Sequence, residues 1–366
     1  MHEKIREHKA FLILENGKIF EGRHFGAKIE SVGEIVFTTQ MTGYLETLTD
    51  PSYYGQIVVQ TFPLIGNYGV ISSDFESKEP HVKAYIVRNW CQDPSNFRCE
   101  GDLDTFLKNK NIPGLYGIDT RELTRIVREY GVMNARICFD ITDKNNIISE
   151  LRGYKIIDAV KNVTCKEIKL DKCENKKYTV ALWDFGLKEN IRRELLKRGC
   201  DVYTIPSFTK AEDIIKLNPD GLMLSNGPGD PAENRDVIEE LKKVCDKKIP
   251  IFGICLGHQL LALSQGARTE KLKYGHRGAN QPAVDIENKR TYITSQNHGY
   301  AVVSNSLRDG SHMSYVNAND FTCEGVEYDY MPAFSVQFHP EASAGPLDTS
   351  FLFDKFISVI EKNRKR

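Results

Sequence analysis

One stretch restricts the possible folds of this chain more than any other: Ile249-Pro250-Ile251-Phe252-Gly253-Ile254-Cys255-Leu256-Gly257-His258-Gln259-Leu260-Leu261. A short apolar run reads as a strand, a tight turn follows, and the apolar spacing after it reads as a helix. A cysteine sits at the turn with a glycine two residues to either side, the form of a nucleophile elbow with sulfur in place of oxygen. Glycines let the backbone fold sharply where a side chain would clash. The turn would then hold Cys255 beside the first amides of a helix, which favour a thiolate and can stabilise an oxyanion. A buried cysteine packed in a strand-to-helix turn would leave the same local pattern, so the rest of the chain has to decide between them.

The surrounding sequence supplies the sheet that such an elbow needs. Tyr178–Trp183 (YTVALW), Asp201–Ile205 (DVYTI) and Asp220–Ser225 (DGLMLS) read as strands, and helices fit between them near residues 188–198, 212–217 and 233–245. Strands alternating with helices predict an open, mostly parallel sheet with helices on both faces, and ligands in such sheets lie outside the carboxyl ends of the strands. The loop Gly227-Pro228-Gly229-Asp230-Pro231 follows one of those strand ends, as Cys255 does. A simple turn would also explain it. No phosphate-loop or dinucleotide fingerprint accompanies it.

A cysteine nucleophile needs a base, and the base needs an orienting group. Phe338-His339-Pro340-Glu341 follows the apolar strand Ala333–Gln337. His339 and Glu341 are two apart, so in an extended chain they face the same way. His258, His276, His298 and His312 compete as bases, but His258, the one placed in the elbow helix, lacks an acidic neighbour at short spacing.

The first half reads differently. Asn16-Gly17 between apolar runs is a hairpin signal, and strand-like runs recur at residues 34–39, 56–61, 83–87 and 135–139. Asp119-Thr120-Arg121-Glu122 has capping-box spacing for a helix carrying Leu123, Ile126 and Val127 on one face and ending at Gly131. The expectation is a strand-rich α+β domain over residues 1–155, a polar, lysine-rich linker over 156–177 and the α/β domain over 178–366. Residues 41–53 and 63–69 read as turns.

The formal net charge of -1 in 366 residues argues against a nucleic-acid or anionic-membrane surface. The charged opening lacks a signal core and no apolar run reaches membrane-spanning length, so the expectation is a cytoplasmic protein. Nine cysteines without a CxxC pair suggest neither a disulfide framework nor a metal site.

Gly253–Gln259 (GICLGHQ) with His339-Pro340-Glu341 resembles the class I, or triad, glutamine amidotransferases, whose fold is flavodoxin-like. Met41-Thr42-Gly43-Tyr44, Leu48–Tyr53 (LTDPSY), Ile65–Gly69 (IGNYG), Ile118–Arg121 (IDTR), Ser295–Tyr300 (SQNHGY) and Glu341–Asp348 (EASAGPLD) resemble the small chains of carbamoyl phosphate synthetases. The resemblance runs from about Phe11 to Ile360. It implies a glutaminase that delivers ammonia to a large partner chain, which makes carbamoyl phosphate from bicarbonate and ATP for arginine or pyrimidine synthesis. It implies Cys255 as nucleophile, His339 as base and Glu341 as its orienting group. It places glutamine contacts at Ser52, Gly227, Gly229, Leu256, Gln259, Asn297, Gly299 and Tyr300, with the amides of Leu256 and Gly229 as oxyanion donors. Tyr300 stands where relatives often have Phe, and Arg277–Pro282 (RGANQP) departs from the usual glycine- and histidine-rich form. No cofactor is implied on this chain; ATP with Mg or Mn belongs to the large chain. The alternatives are an amidotransferase subunit of another synthase, which would lack the first domain, a stand-alone cysteine hydrolase, and a non-catalytic subunit.

Overall fold

The computed structural model describes residues 8–365. Residues 1–7, the charged opening, and Arg366 of the basic tail lie outside them. The chain divides into two compact units, Met1–Ile157 and Asp158–Arg366.

The first unit is built on a closed barrel. Its elements are β1 (Lys9–Leu14), β2 (Ile19–Gly26), β3 (Ser31–Thr38), α1 (Tyr44–Thr49), β4 (Gln56–Gln60), β5 (Leu64–Ile65), β6 (Ala84–Ile86), β7 (Asn89–Trp90), α2 (Leu103–Asn109), β8 (Pro113–Tyr116), α3 (Thr120–Tyr130), β9 (Met133–Cys138) and α4 (Lys144–Gly153). The barrel order is β1-β2-β8-β6-β4-β3-β9. The Asn16-Gly17 turn joins β1 to β2 as an antiparallel hairpin, with Gly17 at φ 88° and Lys18 N donating to Asn16 Oδ1 at 3.1 Å. Asp119 caps α3, accepting from Glu122 N at 2.9 Å, and Leu123, Ile126 and Val127 are buried on one face. The stretch read as a turn over residues 41–53 is partly helical. Gly43 at φ 78° leads into α1, and Asp50 then accepts from Ser52 N at 2.9 Å in a single 3-10 turn.

The second unit contains α5 (Ala159–Val163), β10 (Lys169–Asp171), β11 (Tyr178–Asp184), α6 (Glu189–Lys197), β12 (Cys200–Pro206), α7 (Ala211–Lys216), β13 (Gly221–Leu224), α8 (Arg235–Cys245), β14 (Ile251–Ile254), α9 (Leu256–Ser264), β15 (Thr269–Asp285), β16 (Thr291–Val302), β17 (Ser311–Asn317), β18 (Cys323–Tyr328), β19 (Ala333–Val336) and α10 (Phe351–Arg364). Ten strands form one sheet in the order β10-β12-β11-β13-β14-β19-β18-β16-β15-β17. Strands β12, β11, β13, β14 and β19 are parallel neighbours, and the antiparallel strands extend the sheet from both sides. Alternate residues feed the two faces. Ala181, Trp183, Leu222 and Leu224 pack with α7, α8 and α9, while Val180, Leu182, Met223 and Phe252 pack with α6 and α10. Burial on both faces explains why these strands read as continuous apolar runs.

Much of the segment read as a linker is part of this unit. Thr164 Oγ1 donates to Asp184 O at 2.6 Å, Cys165 N donates to Asp184 Oδ2 at 2.7 Å, and β10 pairs with β12 through Lys169↔Thr204. Its lysines fit an edge strand, where charge discourages pairing with another chain. Among the described residues no helix is long and apolar enough to cross a membrane.

Candidate active site

Strand β14 delivers Cys255 to the carboxyl edge of the parallel strands and α9 begins at the next residue. Cys255 takes φ 53° and ψ -104°, a conformation that non-glycine residues rarely adopt and that sites retain where surrounding structure enforces it. The enforcement is visible on both sides. A Cβ at Gly253 would lie 2.8 Å from Gly257 O, and one at Gly257 would lie 2.5 Å from Leu224 O. Helix α9 therefore closes onto β13 and β14 at distances only glycine allows. Cys255 N donates to Val336 O at 2.9 Å, tying the elbow to β19, and Gly257 N donates to Ser225 O at 3.0 Å.

His339 leaves the carboxyl end of β19, the strand parallel to β14. Its Nδ1 lies 2.7 Å from Glu341 Oε1, and its Nε2 has no hydrogen-bond partner among the described residues. Because Glu341 accepts at Nδ1, the neutral ring keeps its lone pair on Nε2, the nitrogen a base needs. The pair meets by a different route from the extended-chain expectation. Residues 339–342 form a turn, with Ala342 N donating to His339 O at 3.3 Å. Strand β16 touches both partners of the dyad. Ser295 O accepts from His339 N at 2.9 Å, and Asn297 O accepts from the Cys255 thiol at 3.7 Å. The nucleophile and the base thus flank the same short run of β16.

Sequence reasoning missed Lys188. This lysine, 7% exposed, immediately precedes α6 at the end of the β11 turn. Its Nζ lies 3.0 Å from Glu341 Oε1 and 3.5 Å from His339 Nδ1. Burial pushes the Glu341 carboxyl up, but the Lys188 ammonium and His339 outweigh it and hold the group down at about 2. A carboxyl depressed in this way stabilises the fold at pH above its unfolded value and loses that contribution as pH falls toward 2. The only signal in the sequence was position: a lysine just after a strand end on the edge that carries the elbow. Asn190 Nδ2 also donates to Glu341 O.

The predicted glutamine contacts fall into three groups. Gly227 and Gly229 lie in the loop after β13. A Cβ at Gly227 would lie 2.7 Å from Leu256 Cδ2, so this loop closes on the start of α9, and Gly229 adopts φ 88°. Leu256 is the first residue of α9, where backbone amides lack intrahelical acceptors. Asn297, Gly299 and Tyr300 lie on β16, and Gln259 reaches them from α9 by donating to Tyr300 O at 2.8 Å. Ser52 belongs to the first unit, in its 3-10 turn. The rival base His258 is fully buried, with Nδ1 2.8 Å from Ser335 Oγ, and burial lowers its pKa to about 3. It is a core histidine on the buried face of α9.

Residues 12–137 match the family model described as carbamoyl-phosphate synthase small chain, CPSase domain, and residues 181–359 match glutamine amidotransferase class-I. A carbamoyl phosphate synthase small chain of Clostridium perfringens is 52% identical over 349 residues, covering 95% of this chain and 99% of the relative. Small chains of Bacillus thuringiensis and Fusobacterium nucleatum are 52% and 50% identical, covering 98% and 97% of this chain and 97% and 99% of theirs. With both domain models matched in order and half the residues shared over nearly the full length, the chain belongs to the carbamoyl phosphate synthase small chain family.

Proposed function

We propose that this chain is the glutaminase subunit of a carbamoyl phosphate synthase. It hydrolyses glutamine to glutamate and ammonia through a thioester on Cys255 and delivers the ammonia to a large chain. The observation that carries this reading is the His339–Glu341 hydrogen bond of 2.7 Å, which leaves Nε2 open beside the strand that also touches Cys255.

In the reaction, His339 Nε2 takes the proton of the Cys255 thiol, and the sulfur attacks the side-chain carbonyl carbon of glutamine. Charge develops on the carbonyl oxygen, and the amides of Leu256 and Gly229 receive it. His339 gives the proton to the departing nitrogen, ammonia leaves and a γ-glutamyl thioester remains. A water then loses a proton to Nε2 and attacks the thioester, and the proton returns to sulfur as glutamate departs. Glu341 holds the imidazole in the required tautomer, and Lys188 keeps Glu341 ionised. Gln259, Asn297, Gly299 and Tyr300 border the glutamine, and Gly227 shapes the loop over it. ATP and its Mg or Mn act on the large chain.

The partner is tested by mixing. The purified chain alone is expected to hydrolyse glutamine slowly. Addition of a large chain with bicarbonate and ATP is expected to raise the rate and to yield carbamoyl phosphate in step with glutamate. Unchanged hydrolysis, with no glutamine-supported carbamoyl phosphate, would leave a stand-alone hydrolase as the better reading.

A further inference from the structure

The sequence expectation assigns no metal to this chain, yet one buried cluster outside the Cys255 machinery gathers two imidazoles and a carboxylate. His276 on β15 and His298 on β16 are cross-strand partners with ring centroids 4.9 Å apart. Glu324 on β18 is fully buried beside them, and one ligating atom from each of the three lies within 4.8 Å of the others.

Hydrogen accounting shows which nitrogen of His298 is left facing an acceptor. His298 Nδ1 lies 2.8 Å from Tyr300 O, which can only accept, so the neutral ring carries its hydrogen there and presents a lone pair at Nε2. That lone pair faces another acceptor, Gln296 Oε1, at 3.2 Å. The amide cannot simply turn over. Gln296 Nε2 donates to Thr294 Oγ1 at 3.1 Å, and that hydroxyl has already given its hydrogen to Gln281 O at 2.8 Å. His276 differs, because it sits between two carboxylates. His276 Nε2 lies 2.8 Å from Asp320 Oδ2 and its Nδ1 3.4 Å from Glu324 Oε1; burial lowers its pKa but the two carboxylates outweigh it, so an ion at Nδ1 would displace a proton held there. Glu324 Oε1 is 4.0 Å from His298 Nε2, and Glu324 Oε2 has no hydrogen-bond partner in this buried site. Asn317 Nδ2 donates to Glu324 Oε1 at 3.1 Å and lies 3.4 Å from His276 Nδ1.

We infer that His276 Nδ1, His298 Nε2 and the Glu324 carboxylate form a binding site for a divalent transition-metal ion, of which Zn2+ best suits the donors. Two imidazole nitrogens and a carboxylate oxygen are zinc ligands, and tetrahedral bonds of about 2.0–2.1 Å place ligand atoms roughly 3.3 Å apart. The 3.4 Å separation of His276 Nδ1 from Glu324 Oε1 matches that spacing, the 4.0 Å one closes with a small ring rotation, and the ligating atoms of all three residues lie within 4.8 Å of one another. Gln296 Oε1 or a water fills the fourth position. Asp320 and Tyr300 O bind the far nitrogens of the two rings, the outer support that orients metal-binding histidines. Loading displaces the Asn317 bond. The ion would tie β15, β16 and β18 together next to Ser295 and Asn297, so its role is structural rather than catalytic.

The test uses the full-length, tag-free chain, stripped with a chelator and titrated with Co2+ and then Zn2+. The expected result is about one Co2+ per chain with the visible bands of a tetrahedral site, displaced by Zn2+. Glu324→Gln and His298→Gln are expected to weaken binding by more than about 100-fold, beyond the usual cost of losing an outer-shell partner, with circular dichroism unchanged. The rival arrangement is a metal-free His276 imidazolium donating to both Asp320 and Glu324. Substoichiometric Co2+, equal binding by Glu324→Gln, or a His276 imidazolium signal in 15N spectra that persists after Zn2+ addition would each overturn the metal site.

Discussion

Replacing Cys255 with serine is expected to lower glutamine hydrolysis by at least about 10^3-fold, a barrier increase of roughly 4 kcal/mol. A serine hydroxyl occupies the same strained elbow and leaves the sheet intact, but it lacks the low proton affinity and soft nucleophilicity of sulfur. Circular dichroism and the melting temperature are therefore expected to stay near wild type. In the assembled synthase the same substitution is expected to abolish carbamoyl phosphate synthesis from glutamine while synthesis from free ammonia continues. Steady-state assays with the two nitrogen sources read the difference. If a folded, assembled Cys255→Ser complex lost both activities, hydrolysis and synthesis would not be separable between the chains.

The second large effect lies at Glu341. Its carboxylate serves two buried partners at once, the His339 ring at 2.7 Å and the Lys188 ammonium at 3.0 Å. Glu341→Gln keeps the shape and removes the charge. kcat is expected to fall by about 10^2–10^4-fold with little change in KM, because triads whose orienting carboxylate becomes an amide lose the correct tautomer. Stability is expected to fall by about 3–5 kcal/mol, since the buried Lys188 ammonium loses its carboxylate partner. Adding Lys188→Met to Glu341→Gln is expected to restore much of the stability and none of the rate. That combination separates orientation of the base from the cost of burying a charge. Restoration of both quantities together would assign Glu341 a purely structural role.

How far the sequence could be read varied along the chain for physical reasons. The elbow was legible because glycine, cysteine and glycine at fixed spacing record a close approach of α9 to β13 and β14, which leaves a mark in the sequence itself. The parallel strands were legible because burial on both faces makes them apolar throughout. The hairpin at Asn16-Gly17 and the cap at Asp119 were legible because they are local hydrogen-bond chemistry. The antiparallel extension was not read. Strand β15 has register shifts between Lys271 and His276 and between Gly278 and Gln281, which break the two-residue period a strand would show. Closure of the first unit into a barrel was also hidden, because it depends on parallel pairings among β3, β4, β6 and β8 that no local pattern encodes. Lys188 was missed for a similar reason: its partner Glu341 is distant in sequence, and a lone lysine at a strand end is normally a solvated surface residue. The polar run before β11 read as a linker because edge strands and linkers share a charged composition.

The central claim is that ammonia release proceeds through an acyl group on Cys255, and capture of that group by hydroxylamine tests it most directly. During glutamine turnover, hydroxylamine is expected to divert the γ-glutamyl group from glutamate to γ-glutamyl hydroxamate while ammonia release continues. Both products are expected to vanish in Cys255→Ser. Glutamate formation that hydroxylamine leaves untouched, with no hydroxamate at any concentration, would mean that water attacks the amide directly, and would contradict the account.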